Sequence, residues 1–157
     1  MNLSAFGDIF KKDSKSKDSS FAVPTESDPS KYGHIFKMLL QNAAQTKLLH
    51  WQSGLYGQHK ALDVLFSGLN DLGDKLAESL MGKYGKPTLA KDQLELLLQN
   101  FQEPEKGDLH WFMDHLYKCY SVDCKTLLGE KGDEELINII DEIIALVDQI
   151  RYLLSLR

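Results

Sequence analysis

QHKALDVLFSGLNDLGDKLAESLM, residues 58–81, sorts its side chains onto two faces, and that sorting decides the fold. On a helical wheel at about 100° per residue, Leu62, Leu65, Phe66, Leu69, Leu72, Leu76 and Leu80 fall within one arc of about 120°. A second arc, about 100° wide, holds His59, Asp63, Asp74 and Glu78, with Asn70 among them. The segment therefore reads as a long amphipathic helix with a core stripe and a separate polar face.

Working outward, Gly82, Gly85 and Pro87 stop this helix, while Ser53-Gly54 and Gly57 precede it. Upstream, Asp28-Pro29-Ser30 opens a first helix, with Pro at an early helical position. Ile35, Met38, Leu39, Ala43, Thr46 and Leu49 keep helical spacing from there to Trp51. Downstream, a short helix is expected over 91–101, carrying Leu94, Leu96, Leu97 and Leu98 and ending before Pro104. A third long helix is expected from Asp108 to Leu128, stopped at Gly129. A fourth begins at Asp133, with Leu136, Ile140, Ile143, Ile144, Val147, Ile150, Leu153 and Leu154 as its stripe. Period-two alternation is scarce, so the fold class expected is all-α: a bundle of four long helices with a short connecting helix between the second and third.

The first thirty residues differ in kind. KKDSKSKDSS at 11–20, followed by Pro24 and Pro29, lacks the apolar surface that offsets ordering entropy. Residues 1–30 are expected as a flexible arm with one apolar patch, Leu3, Phe6, Ile9 and Phe10, and residues 31–157 as the helical domain. The chain has 157 residues, 43% of them hydrophobic and 26% charged, which is ordinary for one globular domain. Its net charge of −5 argues against a general affinity for nucleic acid or anionic lipid. No signal peptide and no apolar run of about 20 residues is present, so no membrane association is expected and a cytoplasmic setting is. Cys119 and Cys124, five apart in a helix, are expected on different faces and so unbridged, either as reduced thiols or simply as small core residues. The aromatics of His110-Trp111-Phe112 are expected in the core, with His110 and His115 half exposed.

The polar arc of the second helix admits two readings. One is an ordinary solvated face. The other is a metal site, because His59/Asp63 and Asp74/Glu78 are ligand types held in two i,i+4 pairs. Asp63 and Asp74 stand eleven residues apart, or about 16 Å along the axis, so one helix cannot bring both pairs to one ion. Two copies packed antiparallel about a two-fold axis can, and would form two identical sites. Carboxylates mixed with imidazole suit Fe(II) or a similar first-row ion, not a closed thiolate zinc site. His50, at the end of the first helix, is either a hydrogen-bonded core histidine or a further ligand.

Thr46-Lys47-Leu48-Leu49-His50-Trp51, then His59 with Asp63, Asp74 eleven residues on and Glu78 four further, resembles the signature of the Dps proteins, the mini-ferritins. The similarity covers residues 34–82 and, more loosely, 108–156, where EELINIIDEIIALVDQIRYLL resembles that family's last helix. The resemblance implies a ferritin-like four-helix bundle assembled into a two-fold dimer and a twelve-subunit shell. It further implies Fe(II) oxidised by peroxide or oxygen at inter-subunit sites, mononuclear or di-iron, and Fe(III) sequestered inside. His50, His59 and Asp63 would come from one subunit and Asp74 and Glu78 from its partner, with Trp51 beside the site. The His50–His59 interval is three residues shorter than the family's pattern, and Gly54-Leu55-Tyr56-Gly57 replaces its G-P-x-F. Compact versions of this kind resemble Dps-like proteins of tailed bacteriophages. Some members bind DNA through a basic tail. Here four lysines stand against three aspartates in residues 1–20, which argues against DNA. The alternative is a non-enzymatic structural or interaction protein, such as a virion component, joined to a larger assembly through its arm.

Overall fold

A computed structural model of the chain describes residues 29–101, 109–129 and 132–156. The described residues are all-α, built from four long helices. α1 is Pro29–Gln52 and α2 is Tyr56–Tyr84. α3, residues 110–127, runs as an α-helix over His110–Lys118, widens into a π-helix at Cys119–Cys124, and closes with an α turn at Lys125–Leu127. α4 is Glu134–Ser155. The arm expected at 1–30 falls, up to residue 28, outside the described residues.

α2 is the pivot of the packing, with α1 against one side and α4 against the other. α3 closes the circuit by packing on α4 and reaching α1, where Asn42 Nδ2 donates to the Tyr120 hydroxyl at 3.3 Å. The leucine stripe does what its spacing predicts: Leu62, Leu65, Leu69, Leu76 and Leu80 are buried, and Leu72 packs against them half buried. Each fully buried leucine contributes about 1.5–3 kcal/mol, so this one stripe supplies much of the driving force. α4 answers it with Leu136, Ile140, Ile143, Val147 and Ile150, all without solvent contact. Gly85 ends α2 at φ 83°, a left-handed conformation, and its N–H returns to the Met81 carbonyl at 2.9 Å.

Two expectations change on inspection. The helix expected over 91–101 is a single 3-10 turn, Lys91–Leu94, followed by extended chain. Its leucines have no core to face; every residue from Leu94 to Asn100 is exposed. Instead, α1 side chains hold the backbone. Gln41 accepts from Leu97 N–H at 2.8 Å and donates to Leu97 C=O at 2.6 Å. Gln45 does the same to Gln99 at 2.7 and 2.8 Å, and Gln52 accepts from Phe101 N–H at 2.6 Å. Four helical residues rise about 6 Å and two extended residues about 6.6 Å, so glutamines at i and i+4 meet alternate residues of a strand. This strap replaces the expected helix.

The second correction concerns only which way the thiols face: Cys119 and Cys124 are free and buried, as expected of unbridged core residues. A π turn bonds i to i+5, so residues five apart return to one face, where an α turn would part them. Cys124 Sγ lies 3.5 Å from Met38 Sδ, and Cys119 Sγ 3.4 Å from His115 Nε2. At the other end of α3, Phe112 is buried as expected, whereas Trp111 is 44% exposed.

Candidate functional site

The turn between α1 and α2 is only a few residues long, so the last turn of one helix and the first of the next lie side by side. α1 ends with carbonyls that have no intrahelical donor. His59, one turn into α2, supplies one: its Nδ1 sits 3.0 Å from the His50 carbonyl. The bond is reciprocated, with His50 Nδ1 3.0 Å from the His59 carbonyl. The two imidazoles stack with centroids 3.9 Å apart and planes at 29°.

This clasp fixes the chemistry of both rings. A carbonyl only accepts, so each Nδ1 must carry the proton, and in a neutral ring each Nε2 is left with a lone pair. That is the arrangement by which proteins orient histidine ligands toward metals. His50 is buried at 7% exposure, and its Nε2 points to Asp63 Oδ1 at 3.8 Å. A nitrogen lone pair facing a carboxylate oxygen calls for a proton or a cation between them. Ligand bonds of about 2.1 Å on each side would span the distance in a bent geometry. Asp63 is itself half exposed, at 50% of its side chain, so the position is open to solvent.

His50, His59 and Asp63 are thus brought together at one end of α2. Asp74 and Glu78 are exposed further along the same helix and do not join them. Among the described residues, no three His, Cys, Asp or Glu side chains of one chain form a metal-holding group. Asp74 instead borders a groove of about 210 Å³ between α1 and α2, lined chiefly by Phe36, Leu40, Leu69, Gly73 and Ala77. Trp51, beside the clasp, is 70% exposed, and Lys47 lies 5.9 Å from its ring centre and 4.5 Å from that of Phe66.

A second polar cluster closes the opposite end of the molecule. Asp133 precedes α4 but does not cap it with its side chain. Its Oδ1 accepts from the Tyr84 hydroxyl and pairs with Lys83 Nζ at 2.9 Å. Tyr84 also stacks on Tyr32 at 4.3 Å, tying α1, α2 and α4 together. Burial and this bond push the Tyr84 phenol well above its ordinary range. Neither this cluster nor the glutamines of α1 stood out in the sequence. A helix-surface Gln looks like any other polar residue until the chain it holds is seen.

Residues 50–154 match DUF5856, described as a family of unknown function. That span covers His50 through Glu78 and every helix except most of α1. Over 58 residues the chain is 36% identical to an uncharacterized 14.6 kDa protein from the mobD-ri intergenic region of Enterobacteria phage T4. The match takes in 37% of this chain and 45% of the phage protein, so less than half of that relative's length is spanned. No solved structure matches. Among the described residues, no helix is long and apolar enough to cross a membrane.

Proposed function

The chain belongs to DUF5856, a family of unknown function, and we propose that it is a ferritin-like, Dps-type protein that takes Fe(II) as substrate at a site shared by two copies. The reading is carried by the histidine clasp. Two reciprocal Nδ1–H···O=C bonds leave two Nε2 lone pairs at the Asp63 end of α2. An antiparallel partner would bring its own Asp74 and Glu78 to the same place. Hard carboxylate oxygens and imidazole nitrogens with open positions suit Fe(II), and oxidation by peroxide or oxygen would yield Fe(III) for sequestration. The residues of this chain then have separate tasks. His50 and His59 present oriented nitrogens, Asp63 supplies charge, and the partner's Asp74 and Glu78 complete the set.

The test adds Fe(II) and peroxide anaerobically and follows ferric absorbance, comparing the wild type with Asp74→Ala/Glu78→Ala and with His59→Ala. Fast oxidation in the wild type alone supports the reading. Identical slow traces in all three refute it.

A second reading is a non-enzymatic interaction protein of a bacteriophage assembly. It is favoured by the similarity to a phage T4 protein and by the exposed leucines of the strap. Sedimentation of the full chain without iron separates the two, because the first requires a self-associated species.

A further inference from the structure

Asp133, between α3 and α4, is a buried carboxylate with one oxygen satisfied and one not. Its side chain is 2% exposed. Oδ1 accepts from the Tyr84 hydroxyl and pairs with Lys83 Nζ at 2.9 Å. Among the described residues, Oδ2 is buried and has no hydrogen-bond partner. An ionised carboxylate in such a place carries the full desolvation penalty of the orphaned oxygen. The penalty shrinks when the group takes a proton and becomes neutral. Asp133 is therefore placed to accept a proton, and the bond on Oδ1 identifies the donor.

That donor is a phenol set to lose an electron rather than to ionise. Burial and the bond to Asp133 hold the Tyr84 phenol well above its ordinary range, so at neutral pH it keeps its proton. Its ring stacks on Tyr32, with centroids 4.3 Å apart and planes at 15°, and Tyr32 is itself buried. Two rings in near-parallel contact can share an unpaired electron. Lys83 Nζ sits 5.6 Å from the centre of the Tyr84 ring. This ammonium opposes a second positive charge on the ring, so the electron can leave only if the proton leaves with it. Lys83 is also bonded to Glu135 Oε1 at 2.8 Å and to the Gly132 carbonyl, which anchors it once Asp133 is neutral. Tyr120 gives the contrast: it is buried too, but its hydroxyl meets the Asn42 amide, which takes no proton.

We propose that Tyr84 is a redox-active tyrosine, giving one electron to a radical oxidant such as hydroxyl radical while its phenolic proton passes to Asp133 Oδ1. The O–H bond of Tyr84 breaks, an O–H bond forms on Asp133, and hydroxyl radical is reduced to hydroxide. The products on the protein are a neutral tyrosyl radical stacked on Tyr32 and a neutral carboxylic acid. One electron returned by an external reductant of the thiol class draws the proton back and restores the phenol. The step needs neither iron nor a second copy, so it stands independently of the function proposed above.

Flash photolysis of the full chain with ruthenium trisbipyridine and a sacrificial electron acceptor tests this, because photogenerated Ru(III) removes one electron at a time. Tyrosyl absorbance and its electron paramagnetic resonance signal are followed, and circular dichroism confirms that each variant is folded. The wild type is expected to give a long-lived tyrosyl radical that is absent from Tyr84→Phe, which keeps the ring stack but has no phenolic proton. Asp133→Asn keeps the shape and loses the acceptor, so formation of that radical should slow at least about a hundredfold, the contribution of a positioned base. Asp133→Glu brings back a carboxylate and should recover part of the rate. A wild type without a long-lived radical would overturn the proposal, as would one whose radical persists in Tyr84→Phe. So would equal rates in the wild type and Asp133→Asn.

Discussion

Replacing Gln45 by methionine tests how the strap is held. The side chain is 4% exposed and makes two bonds, accepting from Gln99 N–H at 2.7 Å and donating to Gln99 C=O at 2.8 Å. Methionine keeps the length and flexibility of glutamine, so packing changes little while both bonds vanish. A net hydrogen bond is worth about 1 kcal/mol, and Gln99 is exposed enough for water to replace its lost partner. The expected loss is therefore about 2 kcal/mol, not the larger penalty of two orphaned buried groups. For a chain of this size that lowers the melting temperature by roughly 4–8 °C. Gln52 also makes two bonds, accepting from Phe101 N–H and donating to Asn100 Oδ1, but both are exposed to competing water, so its change to methionine should cost less, about 1 kcal/mol. Urea titrations give the global loss, and exchange of the Gln99 amide gives the local one. If the strap detaches without unfolding the bundle, the amide will lose protection by more than the urea midpoint implies. An unchanged midpoint with an equally protected Gln99 amide would refute the clamp.

Two further outcomes follow from α3. The His115 proton affinity is lowered chiefly by burial, with Lys118 adding to the effect and Asp123 opposing it. A histidine that binds its proton less well when folded gives stability that is full above its unfolded pKa of about 6.5 and is lost as the pH falls from there toward the folded value. The urea midpoint should therefore drop between pH 7.5 and 5.5, and by less in His115→Gln; equal drops would be against it. Burial raises the Cys119 thiol and pushes Cys124 up to about 12, so both stay protonated at pH 8. A disulfide reagent should label the native protein far more slowly than the urea-unfolded chain, and rapid native labelling of either thiol would contradict the burial.

What the sequence made legible depended on whether burial or backbone geometry set the structure. α2 was readable to within about three residues at each end, because seven stripe residues and the glycines around them all point one way. The stripe of α4 was equally plain. The strap was not, since four closely spaced leucines read as an apolar helix face unless the absence of a surface to pack on is known. The π turn was hidden too, because nothing in CYSVDC announces one residue too many. For the candidate site, residue types and the spacing along α2 were visible, and so was the separation that keeps Asp74 and Glu78 from joining His59 and Asp63 within one chain. The protonation pattern of His50 and His59 was not, since it depends on two carbonyls that the sequence does not mark.

The glutamines of α1 grip peptide groups, and every residue except proline offers the same ones. Positions 97 and 99 are therefore free to change identity without loosening the strap, while 41 and 45 are not. Random mutagenesis should find a tolerant ribbon lying on an intolerant helix face, with proline at 97 or 99 as the one substitution the clamp itself rejects. A segment held in this way can alter the surface it shows to its surroundings while the bundle beneath stays as it is.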